Sequence, residues 1–177
     1  MVKRKRVWIL FFFAALFLTI DAASKHWVHL HLPLIGESSL LYPYGGIGVF
    51  RKVLGIDFSI NKATNTGGAW SIFSSYPHAL LIVRVAIISL LTLYTLALNK
   101  ERSRDIPLLL IITGAIGNII DFFAYGSVID MFHFVFWGYS YPIFNVADIL
   151  IFFGVFTLLF QELLKKRKSR AAKPSQS

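Results

Sequence analysis

Asp148 stands in an apolar run, with Ala147 before it and Ile149 and Leu150 after it. An ionisable group costs about 2.5–3.5 kcal/mol at the centre of a membrane helix, so one placed within a span marks a functional position. Asn145 precedes Asp148 by three residues, and Asn118 precedes Asp121 by the same spacing. Residues three apart share a helix face, so each carboxylate is expected to have an amide beside it that donates to it and holds its rotamer. Two carboxylates brought together cannot both ionise easily, and they share a proton. The ionised member takes a proton from water while the protonated member donates to a carbonyl oxygen. That is general acid–base hydrolysis of an amide without a covalent intermediate. The candidates for such a pair are Asp130 and Asp148, with Asp121 as the third option.

The elements that gather these acids follow from composition. The chain has 177 residues, of which 56% are hydrophobic, 16% aromatic and only 15% charged. Its mean hydropathy is +0.64. A chain this short and apolar cannot bury its own apolar surface, so lipid is part of its solvent. Ordinary cytosolic folds, disorder and collagen-like repeats are excluded. There is no cysteine, which removes disulfides, thiolate metal sites and cysteine nucleophiles.

The net charge of +9 sits in three basic clusters, Lys3–Arg6, Lys100 to Arg104 and Lys165 to Lys173, which flank apolar segments. This is the positive-inside pattern, without the aromatic-interleaved basic face of a nucleic-acid binder. It predicts one integral membrane domain over residues 1–177. Spans are expected at about 7–27, 77–99, 106–124 and 143–163, each near the roughly 20 residues a membrane helix needs. Both termini are then cytoplasmic, segments 28–76 and 125–142 face outward, and 164–177 is a cytoplasmic tail. A cleavable signal peptide ending near Ala22-Ala23-Ser24 is the competing reading, but cleavage would leave an odd number of spans. On this topology Asp21, Asp121, Asp130 and Asp148 meet at the outer membrane interface. Asp21 also has a structural role open to it, pairing with Lys25 at i+4. Arg84 is the one charge inside the second span.

The outer segments carry turn chemistry at Tyr42-Pro-Tyr-Gly-Gly46 and short strand patterns around Gly48–Phe50 and Phe58–Ile60. A small sheet on the interface is expected there, with Trp70 and Phe73 in an aromatic belt. Met131–Trp137 is strongly apolar and reads as a lid that dips into the interface over the site. His26, His29 and His31 do not keep to one helix face, and no metal site is expected. Ser24 beside Lys25 does not form a Ser–Lys pair, since adjacent helical residues point apart.

Five ordered motifs resemble the lipoprotein signal peptidases, or type II signal peptidases, over roughly residues 8–163. They are Asp21-Ala-Ala-Ser-Lys25, Asn65-Thr-Gly67-Gly-Ala-Trp-Ser71, Gly117-Asn118-Ile-Ile-Asp121, Gly126-Ser-Val-Ile-Asp130 and Phe144-Asn145-Val-Ala-Asp148. The resemblance implies an all-α membrane protein with four transmembrane helices, a small periplasmic β-cradle and a periplasmic helix over the site. It implies that Asp130 and Asp148 are a catalytic dyad, with Asp21, Lys25, Asn65, Gly67, Asn118, Asp121 and Asn145 in support. It implies an aspartyl endopeptidase of the bacterial inner membrane, without metal or cofactor. The implied substrate is a prolipoprotein cut before a diacylglyceryl-modified Cys, and the implied inhibitor class is globomycin. Two positions depart from the family pattern: Phe122 stands where Arg is expected and Ile149 where Ser is expected. The first removes a cation that would clamp lipid, and Arg84 is the candidate to supply one instead. A small proton-relay transporter or channel subunit is the alternative, but it needs a polar path through the membrane, and the cytoplasmic halves of the spans carry no acid before Glu162 at the very end of the fourth.

Overall fold

Among the described residues four stretches are long and apolar enough to cross a membrane, and in a computed structural model all four are helical. Residues 2–66 and 76–171 are described; Gly67, Trp70 and Phe73 lie outside them. Helix α1 runs Val2–His31, α2 Pro77–Leu93, α3 Asp105–Tyr125 and α4 Val146–Ala171. Their outward faces carry exposed Phe11, Phe12, Ile82, Leu90, Phe152 and Phe156. Such surfaces are stable only in lipid, where helices satisfy their own backbone polar groups.

Small residues bring α3 and α4 together. A Cβ on Gly114 would lie 2.4 Å from the Ala147 carbonyl, and one on Gly154 would lie 2.6 Å from the Pro107 carbonyl. Lipid provides no hydrophobic drive between helices, so this close backbone approach and its van der Waals contact hold the pair. At one end of the bundle Arg104 bonds Tyr94 Oη (2.9 Å) and pairs with Glu162, while Lys165 pairs with Glu101 at 2.6 Å. The acids singled out above lie at the other end.

A four-stranded antiparallel sheet in the order β1-β2-β3-β4 covers that other end. Its strands are β1 Ile47–Val53, β2 Ile56–Asn65, β3 Val128–Phe136 and β4 Tyr139–Ser140. Alternation divides β3. Ile129 and Met131 are buried and pack on Val28 of α1. On the opposite face Phe134 stacks on Phe58 at 4.3 Å between ring centroids and on Phe144 at 6.0 Å. The stretch expected to form a lid is therefore β3, paired along most of its length with β2. Its apolar character comes from being an inner strand with both faces covered, not from dipping into lipid. Among the described residues between α1 and α2 there is no further helix. The outcome is a mostly helical membrane protein with a small sheet.

Candidate active site

Asp130 reaches the site through a turn. Helix α3 ends on Gly126, whose φ of +74° suits glycine and whose N–H donates to the Phe122 carbonyl at 3.0 Å. The chain reverses there into β3, and Asp130 follows four residues later on the face shared with Phe132 and Phe134. Asp130 is only 3% exposed. Burial, with the Asp148 charge as the next cause, pushes its carboxyl up to about 7.

Asp148 comes from the first turn of α4. The Asn145 side-chain oxygen accepts from the Asp148 N–H at 2.9 Å, and the Asp148 carboxylate accepts from the Asn145 N–H at 3.2 Å. This reciprocal pair is a capping box, here built from Asn and Asp. The three-residue spacing therefore serves a helix start, and not a shared helix face as the sequence suggested. The positive end of α4 also faces this carboxylate.

The amides work across motifs rather than within them. Asn145 Nδ2 donates to Asp130 Oδ1 at 2.6 Å, so one residue touches both acids. Asn118 Nδ2 donates to Asp148 Oδ1 at 2.9 Å, not to Asp121. Asn118 and Asn145 are themselves joined at 3.2 Å. Asn65, the last residue of β2, donates to Asp130 Oδ2 at 3.3 Å. Because α3, α4 and β3 converge, cross-element amides reach both oxygens of Asp130 and Oδ1 of Asp148, and the local Asn145 N–H serves Asp148 Oδ2.

Behind the two acids lies a buried ionic knot. Lys25 is fully buried; its Nζ is 2.8 Å from Asp21 Oδ2 and 2.9 Å from Asp121 Oδ2, and it donates to Asn118 Oδ1 at 2.9 Å. Asp21 Oδ1 accepts from the Ala147 N–H at 2.8 Å, and Asp121 Oδ2 from the Ile129 N–H at 3.2 Å. Gly117 leaves the room for Asp21: a Cβ there would lie 2.5 Å from its carboxylate. The knot thus ties α1, α3, the start of α4 and the start of β3. Asp121, the third option for the acid pair, is occupied in this knot.

A cavity of about 1200 Å³ opens on Asp130, Asp148, Asn65, Asn118 and Arg84. Its far wall is apolar and runs down α4 through Phe152, Phe156 and Leu159. It can take a long apolar ligand whose polar end meets the two acids. Sequence reasoning missed a second polar cluster, in which His133 bonds Ser140 Oγ at 2.8 Å and buried Asn61 bonds Ser59 Oγ at 2.7 Å. Its signal was present, because Ser59 and Asn61 occupy alternate positions of one strand. Burial holds the His133 imidazole below its usual value.

Comparison with known proteins bears on the family and the fold. The family model described as signal peptidase (SPase) II matches residues 13–164. A lipoprotein signal peptidase of Bartonella henselae is 38% identical over 167 residues, covering 90% of this chain and 93% of that one. Another, from Bacillus pumilus, is 32% identical over 161 residues, covering 89% and 94%. A bacterial membrane enzyme solved by the in meso method superposes with a TM-score of 0.75 at 22% identity, covering 96% of this chain and 94% of that chain; it shares the fold. The extent of the family match and the identity to full-length relatives together make this chain a member of the signal peptidase II family.

Proposed function

We propose that this protein is a membrane aspartyl endopeptidase that removes the signal peptide from diacylglyceryl-modified prolipoproteins. The observation that carries the reading is Asn145, which touches Asp130 with its side chain and Asp148 with its backbone. Asp130, raised to about 7, is the protonated member near neutral pH. Asp148, facing two N–H donors and a helix N-terminus, is the ionised one. Water held between them gives a proton to Asp148 as its oxygen attacks the scissile carbonyl carbon. Asp130 gives its proton to the carbonyl oxygen. As the intermediate collapses, the C–N bond breaks, the Asp148 proton passes to the leaving amine, and Asp130 recovers a proton from the intermediate's hydroxyl. No metal or cofactor enters this scheme.

The apolar wall of the cavity supports a lipid-bearing substrate, because acyl chains and a signal helix need an apolar surface within the membrane. The basic clusters support a topology with both termini in the bacterial cytoplasm and the acids at the periplasmic face of the inner membrane. Globomycin-type inhibitors and the lipidated precursor then compete for one cavity. The test is cleavage of a lipidated precursor in detergent by wild type, D130N and D148N. Both variants are expected to insert and to lose turnover. Near-full cleavage by either one refutes the dyad.

A further inference from the structure

Helix α2 carries one charged residue, Arg84, and its other side chains are largely exposed to the lipid side, Ile82, Val83, Ile87 and Leu90 among them. A guanidinium in a membrane span faces protein or water and pairs there, unless it snorkels to the surface. Arg84 does the first. It is half-buried and lines the cavity with Asp130, Asp148, Asn65 and Asn118. Its charge lies close enough to interact with both carboxylates.

The other charged and titratable groups around the pair are accounted for element by element. Helix α1 brings Lys25 and Asp21, and α3 brings Asp121; Lys25 is engaged by Asp21, Asp121 and Asn118. Strand β2 brings the neutral Asn65, and the segment around β4 brings Tyr139 and Tyr141. Among the described residues that line the cavity, Arg84 is the one cation.

We propose that Arg84 is a positioning residue for hydrolysis, whose guanidinium sets the pH window over which Asp130 and Asp148 together hold one proton. This rests on the dyad reading above. A nearby cation favours each successive ionisation of the pair. With Arg84 present, the singly protonated state begins at lower pH and also ends at lower pH. Without it, both boundaries move up.

The experiment uses the full-length protein in detergent and a lipidated precursor. It measures kcat and KM from pH 4.5 to 9.5 for wild type, R84K, R84Q and R84M, with D130N alongside. Removing a charge from a span eases insertion, and R84M offers a second neutral variant should R84Q fail to accumulate. Both limbs of the kcat profile are expected to move up by about one pH unit in the neutral variants, a roughly tenfold loss of kcat on the acid side. R84K, which keeps the charge, should follow wild type. Limbs that stay in place, or a change confined to KM at every pH, overturn the role of Arg84. Cleavage by D130N overturns the dyad itself, whereas an inactive D130N with unmoved R84Q limbs overturns only the present inference.

Discussion

Replacing Lys25 by Met removes the cation at the centre of the knot and leaves the Asp21 and Asp121 carboxylates, 1% and 2% exposed, facing each other. At the 2.8 Å of the Lys25–Asp21 pair, and with an effective dielectric constant of about 20, each ion pair supplies about 6 kcal/mol of attraction before desolvation is counted. Desolvation takes back several kcal/mol per ion, and breaking a buried pair costs about 3–5 kcal/mol net. At about 2–4 °C per kcal/mol for a chain of this length, K25M should melt roughly 6–20 °C below wild type. The site should suffer as well. Lys25 fixes the oxygen of Asn118, and the Asn118 nitrogen holds Asp148 at 2.9 Å. A carboxylate displaced by about 1 Å costs about 100-fold in turnover. The assay is thermal unfolding in detergent with cleavage measured on the same samples. The triple variant D21N/K25M/D121N, which removes the stranded charges, should regain at least half of the lost melting temperature. A K25M protein that melts within about 2 °C of wild type, or a triple variant no more stable than K25M, would refute the reasoning.

Asn145→Ala removes the side-chain donor to Asp130 and the acceptor that caps the Asp148 N–H while keeping the backbone contact to the Asp148 carboxylate, so kcat should fall about 100-fold with a smaller change in KM, read from cleavage kinetics. Gly117→Ala puts a Cβ 2.5 Å from Asp21 Oδ2, and overpacking of this kind should cost about 1–3 kcal/mol in unfolding. Asp130→Asn tests the raised carboxyl through stability. The folded protein binds this proton more tightly than the unfolded chain, whose carboxyl titrates near 3.8. The stabilisation is complete below that value and is lost as pH rises through about 7. D130N should therefore melt above wild type at pH 8, and the gain should close by pH 4.

Much of this fold was legible because lipid imposes a simple grammar. Uninterrupted apolar stretches and flanking basic residues mark the helices without reference to tertiary contacts. Asp148 stood out because an acid within an apolar span is costly; Asp130 and Asp121 were both open as its partner, and the resemblance of the motifs, not the burial cost, singled out Asp130. Partner choice was not legible. Asn-x-x-Asp means a capping box at the start of α4 and cross-helix bonds in the middle of α3, and only the tertiary arrangement separates these uses. Met131–Trp137 misled for a related reason. An inner strand covered on both faces reads as apolar throughout, as does a segment that dips into lipid. Lys25 was visible as an i+4 partner of Asp21, but its third contact, Asn118, lies 93 residues away in sequence.

The central claim is that residues 130 and 148 hold one proton between them. Difference infrared spectroscopy of wild type against D130N reads that proton through the carboxylic acid C=O stretch. The account predicts a band at pH 6 that disappears on titration through about 7, the value set for Asp130 by burial and Asp148, and that is missing from D130N at every pH. No such band at pH 6, or one that persists unchanged in D130N, would contradict it.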